Sequence, residues 1–200
     1  MKQNKIVIGV TGTIASGKST VCRYMEEKYG AFRIDADIVA RKVVEDLRLK
    51  LADLFGDSIL TEEDTVDRKA LGAIVFSDPD KLKLLNETVH PETARRISKM
   101  IEEADTTLVL VEAVELLRSD LRNMIDTAWV VYAEPELRIR RMISERDLTE
   151  KEAADRVSSQ LDDETYRAMA DVEIRSTDGP LSLLTDQCDA ALKRLIDKKV

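Results

Sequence analysis

Two hundred residues, 44% hydrophobic and 35% charged, suit one compact soluble domain with room for an inserted subdomain and a real core. A net charge of −8 argues against nucleic acid as the main partner, which needs a basic face; bound phosphates must be drawn by a local cluster of Lys, Arg and amide groups. Two isolated cysteines, Cys22 and Cys188, with a single histidine build neither a zinc site nor a disulfide framework, which fits a reducing cytoplasm.

The chain opens with Met1-Lys2-Gln3-Asn4-Lys5 ahead of an apolar run, the outline of a secretory signal. The run breaks at Thr11-Gly12 and leads straight to Lys18, so residues 5–10 read instead as the buried first strand of a parallel sheet. No apolar stretch approaches the roughly 18 residues a membrane span needs, and the expectation is a protein neither exported nor membrane-spanning. Gly12-Thr13-Ile14-Ala15-Ser16-Gly17-Lys18-Ser19, with Thr20 after it, opens a helical pattern over 19–29 that stops at Gly30. Strand, glycine turn and helix form the setting in which G-x-x-x-x-G-K-[S/T] means a phosphate cradle. The first turn of a helix has unpaired N–H groups, and the helix dipole adds partial positive charge there. Gly12 and Gly17 let successive N–H groups converge on an anion, Lys18 adds a full charge at the terminal phosphates, and the Ser19 hydroxyl can ligate Mg²⁺. A turn that only caps a helix is the alternative; the pattern in this setting implies binding of a nucleoside triphosphate.

Residues 31–35 read as a short second strand, and the stretch from Ile38 to about Ala104 contains no convincing strand. Within it, Ser77-Asp78-Pro79 places a cap and a first-turn proline before a helix over 81–89, and His90-Pro91 starts another that ends near Asp105. Residues 107–112 and 127–132 are the third and fourth strands, and Pro135 begins a helix to about Glu145. Thr149 and Glu152 fit a capping box for a helix through Leu161, residues 171–174 a weak fifth strand, and 181–198 a closing amphipathic helix. This alternation predicts an α/β fold of three layers, a five-stranded parallel sheet with helices on both faces.

In open parallel sheets ligands bind outside the carboxyl ends of the strands. Asp35 and Asp37 after the second strand and Glu112 ending the third fall at that edge, as does Gly12. A carboxylate at Asp37 can orient an acceptor hydroxyl and take its proton, or ligate Mg²⁺ through water. Alternatively, Asp35 or Asp37 simply caps the helix near Ile38. Glu112 reads either as a partner behind the metal or as a solvated strand end.

Taken together, Ile8-Gly9-Val10-Thr11-Gly12, Ser16-Gly17-Lys18-Ser19-Thr20, Ile34-Asp35-Ala36-Asp37, Ala40-Arg41, Val66-Asp67-Arg68, Leu71, Val75-Phe76 and His90-Pro91 resemble the dephospho-coenzyme A kinase family. Arg156, Gln160 and Ala170-Asp171 extend the likeness over nearly the whole chain. The resemblance implies a P-loop NTPase fold and transfer of the γ-phosphoryl group of ATP to the ribose 3′-hydroxyl of dephospho-CoA, the last step of CoA synthesis. It implies a nucleotide-binding core (about 1–37, 105–137 and 166–200), a helical acceptor-binding subdomain (about 38–104) and a lid (about 138–165). For sites it implies Asp37 as base, Asp35, Asp37, Arg41 and His90 toward the acceptor, and Arg156 with Gly12 and the loop residues Ala15, Ser16, Gly17, Lys18, Ser19 and Thr20 toward ATP. The chain departs from the family pattern at Thr13 and Ala15, where glycine is frequent. It departs again at Glu112-Ala113-Val114-Glu115-Leu116-Leu117-Arg118, which stands for D-V-P-L-L-F-E, and at Ser176-Thr177-Asp178-Gly179, which stands for an asparagine-glycine turn.

Arg138, Arg140 and Arg141 cluster on one helix, with Arg146 and Arg156 further on, and such arginines can stabilise the charge of phosphoryl transfer. The alternative pairs them with Glu136, Glu145 or Glu150 on a solvated face. Arg141 best matches the family position. His90 is read from its surroundings as a cap or interior residue and from the family as a structural or acceptor-site residue. Other readings are a different nucleotide or small-metabolite kinase of the same architecture, or a nucleotide-binding regulator without catalysis. The N-K-x-D segment of GTPase switches and the L-S-G-G-Q run of transport ATPases do not occur.

Overall fold

The computed structural model describes residues 5–146, 148–160 and 163–199. Five strands, β1 (Ile6–Thr11), β2 (Phe32–Asp35), β3 (Leu108–Glu112), β4 (Thr127–Tyr132) and β5 (Val172–Arg175), form one sheet in the order β2-β3-β1-β4-β5. β1 lies at its centre, parallel to β3 on one side and to β4 on the other. A central strand buried on both faces must be apolar throughout, and residues 7–11 are all buried. Ile8 and Val10 join Leu110, Trp129 and Val131 beneath α1 (Lys18–Tyr29) and α9 (Ser182–Lys199), where Met25, Leu184 and Leu192 fill the layer. Gly9 faces the other way, against Leu116 and Ile125.

The chain divides into two compact units, 1–34 with 104–200, and 35–103. The second is helical: α2 (Ala36–Asp46), α3 (Arg48–Phe55), α4 (Arg68–Val75) and α5 (Pro79–Glu103). Leu51, Ile59, Val66, Leu71 and Val75 make its core. Three of its four helix entries are marked by an aspartate, and α3 starts from Leu47 without a side-chain cap. Asp35 accepts from the Ile38 amide, Asp67 from Lys69 and Ala70, and Asp78 from Asp80 and Lys81. Arg96 of α5 bridges Glu92 and Asp46, which ties α5 to α2.

Where two helices were expected around His90, α5 runs unbroken through Pro91. Proline removes one interior amide, yet Thr88 and Thr93 donate their hydroxyls to the carbonyls of Leu84 and Val89, and buried Val89, Thr93 and Ile97 hold the helix on its unit. In the first unit α6 (Pro135–Arg146) is followed by α7 (Glu150–Ser158), which starts on the expected Thr149–Glu152 capping box. α7 ends at Ser158 rather than continuing toward Leu161, which lies outside the described residues. A further helix, α8 (Asp163–Met169), was not expected.

Candidate active site

The loop between β1 and α1 is shaped by its glycines. Gly12 has φ 147° and Gly17, which caps α1, φ 105°, both on the side of the map that favours glycine. A Cβ at Gly12 would stand 2.3 Å from the Val131 carbonyl oxygen and 2.8 Å from Ser16 Oγ. Ala15 also has positive φ, 58°, so the family's frequent glycine there has a plain cause. Ser16 is fully buried, and its Oγ has no hydrogen-bond partner among the described residues. A buried hydroxyl without a partner is costly, and one inside an anion-binding turn fits a loop built to receive oxygen atoms. Lys18 donates from Nζ to the carbonyls of Gly12 at 2.7 Å and Thr13 at 3.1 Å, which places the ammonium across the mouth of the loop.

Loop residues 15–20 line a cleft of about 380 Å³, closed by Arg141 and Glu145 of α6 and by Ser176, Thr177 and residues 179–181 beyond β5. Arg141 spans it. One arm of the guanidinium donates to the Ala15 carbonyl at 3.1 Å, and the other to Ser176 Oγ at 2.9 Å and the Thr177 carbonyl at 3.3 Å. Arg140 turns to Asp178 instead, and Arg138 is buried. Arg140 thus takes none of the expected glutamates. Arg156 lies in the last turn of α7, outside the residues lining the cleft. The Arg146 side chain lies outside the described residues.

Two features at the carboxyl edge of the sheet were not legible beforehand. Glu112 is no solvated strand end: it is 7% exposed and accepts from Nε and Nη2 of Arg33 on β2. Behind it, burial pushes the Cys22 thiol up, and the Glu112 charge adds to the effect. Burial likewise pushes Cys188 up to about 12, so both cysteines are small apolar core residues. The altered segment after β3 is held at the Val114 carbonyl, which accepts from Thr11 Oγ1 and from Tyr166 Oη of α8, each at 2.9 Å.

In the helical unit, Asp37 and Arg41 line a hollow of about 320 Å³ with Val44, Val66 and Arg68. Asp35 serves as the cap of α2, and His90 is exposed on α5, outside that hollow.

A glycine loop leading from the central strand of a five-stranded parallel sheet into a lysine-headed helix defines a P-loop kinase, a phosphotransferase of the α/β class. The family model described as dephospho-CoA kinase matches residues 6–179. A dephospho-CoA kinase of Shouchella clausii (strain KSM-K16) is 42% identical over 173 residues, covering 84% of this chain and 87% of that protein. A Thermus thermophilus protein of known crystal structure superposes with a TM-score of 0.84 at 32% identity, over 96% of this chain and 98% of that one. The structure of dephospho-CoA kinase from Campylobacter jejuni does so with a TM-score of 0.63 at 27% identity, over 94% and 97%. The chain belongs to the dephospho-CoA kinase family.

Proposed function

We propose that this protein transfers the γ-phosphoryl group of ATP to the ribose 3′-hydroxyl of dephospho-CoA, giving CoA and ADP, and that it does so in the cytoplasm. One observation carries the nucleotide half of this reading: the cleft joins the phosphate loop, Lys18 and a buried Ser16 hydroxyl to the Arg141-bracketed segment beyond β5. Amides of residues 15–20 cradle the phosphates, the nucleoside lies along residues 176–181, and Lys18 compensates charge at the transferred group. Phosphoryl transfer leaves the protein little covalent work, so positioning and charge carry most of the rate.

The acceptor half rests on the helical unit, residues 35–103, and its hollow. Asp35 spends its carboxylate on the Ile38 amide, so Asp37, two residues on and beside Arg41, is the base that orients the 3′-hydroxyl and takes its proton. Arg41 and Arg68 suit the phosphates of the acceptor, and His90 supports that side. Residues 138–165 form a lid that excludes water, with Arg141 at its hinge end and Arg156 meeting ATP from its second helix.

Among the described residues no cluster of three acidic, histidine or cysteine side chains is ready to hold a metal. The donor set that does exist, the Ser19 hydroxyl at the start of α1, fits Mg²⁺, which in phosphate-transfer sites takes few protein oxygens and completes its shell with phosphate and water. Bound there, the ion would neutralise charge on the β- and γ-phosphates.

The test is product formation from ATP and Mg²⁺ with dephospho-CoA, AMP or gluconate as acceptor. CoA should form, with the other two acceptors slower by orders of magnitude; preference for AMP or gluconate, or ATP binding with no product on any acceptor, contradicts the reading.

A further inference from the structure

The geometry points to Gln160 as a positioning residue that sets the Thr13–Ile14 peptide of the phosphate loop, and with it the seat of Lys18. Gln160 follows α7 in the chain, and its Oε1 accepts the Ile14 amide at 2.8 Å across a separation of 146 residues. The carbonyl of that same peptide group, Thr13 O, accepts from Lys18 Nζ at 3.1 Å and from the Ser16 amide at 3.3 Å. In a trans peptide the N–H and C=O point in opposite directions, so fixing one fixes the other. Gln160 therefore holds the peptide with its carbonyl toward Lys18 and its N–H away.

Without an acceptor on the N–H side, this peptide loses one of the bonds that oppose its rotation, and its carbonyl contacts remain. Rotation turns ψ at Thr13 and φ at Ile14, and the β-branched side chain of Ile14 limits it to a partial turn. Even a partial rotation draws the Thr13 carbonyl away from the Lys18 ammonium and weakens that seat. The bond also couples the loop to the placement of Gln160: a shift of its side-chain amide by more than a hydrogen bond's tolerance releases the peptide. Gln160 makes no proton transfer and needs no contact with substrate.

The inference deepens the nucleotide half of the proposed function and rests on it, so the test reads the loop first and the nucleotide second. Amide hydrogen exchange is measured on wild type, Gln160→Met, which keeps length without the acceptor, and Gln160→Glu, which keeps an acceptor oxygen. In Gln160→Met the Ile14 amide should lose protection about tenfold or more while Val10 and Val21 keep theirs; Gln160→Glu should restore Ile14. ATP affinity by calorimetry should weaken roughly three- to tenfold in Gln160→Met, the scale of one hydrogen bond. Unchanged Ile14 protection, loss spread equally to Val10 and Val21, or a fall in kcat with ATP affinity intact would overturn the assignment. Absence of ATP binding to wild type would sink the nucleotide reading while leaving the exchange result to be judged by itself.

Discussion

At the scale of single residues, the phosphate loop is a compromise between shape and strain. Gly12 has no room for a methyl group, since its Cβ would meet a backbone oxygen at 2.3 Å. Gly12→Ala should therefore distort the loop, lowering ATP affinity by at least tenfold and the melting temperature as well, read by calorimetry on the same sample. Ala15 is the opposite case, because it holds a left-handed conformation that glycine adopts without cost. Ala15→Gly should raise stability by about 1 kcal/mol in urea unfolding, and a loss of stability would show that its backbone is not strained. Asp37 tests chemistry rather than shape. Asp37→Asn should lower kcat by about 10²- to 10⁴-fold, the range for a lost general base, with ATP affinity changed little. Equal loss of both would assign Asp37 to binding.

At the scale of elements, what the sequence discloses depends on whether a local rule governs. β4 is legible from 127 to 132 because a strand buried on both faces has to be apolar throughout. The capping box of α7 and the aspartate caps before α2 and α5 are equally local. α8 escapes notice because Tyr166 is its only buried side chain among those described, so it carries no amphipathic period. Pro91 misleads for the reverse reason: a strong local breaker is overruled by packing along α5. The phosphate loop is legible because its chemistry lies within eight consecutive residues, from Gly12 to Ser19. Its supports are not, since Arg141 reaches Ser176 over 35 residues and Gln160 reaches Ile14 over 146. Thr149→Ala removes the side chain that accepts the Glu152 amide and should weaken the start of α7 by about 1 kcal/mol, visible as faster local exchange in α7 than in α9.

At the scale of the molecule, cores of different make-up stand among the described residues of one chain. One is a sheet core of Ile8, Val10, Trp129 and Val131; another is a smaller helical core strapped by ion pairs. Hydrogen bonds from Arg95 and Arg96 hold the Glu92 carboxyl down at about 2, against an ordinary value of 4.5. A depressed folded-state value contributes stability above the unfolded value and loses it as pH falls through the folded one. The straps of the helical unit should thus weaken between pH 4.5 and 2, and Glu92→Gln should flatten that part of the stability curve, with solvent screening keeping the effect modest. Family membership makes the chemistry of the whole molecule specific, and it is open to one direct measurement. With ATP, Mg²⁺ and dephospho-CoA, wild type should release CoA and ADP in equal amounts while Lys18→Met forms little of either. ADP release without CoA, or full CoA formation by Lys18→Met, would contradict phosphoryl transfer at this loop.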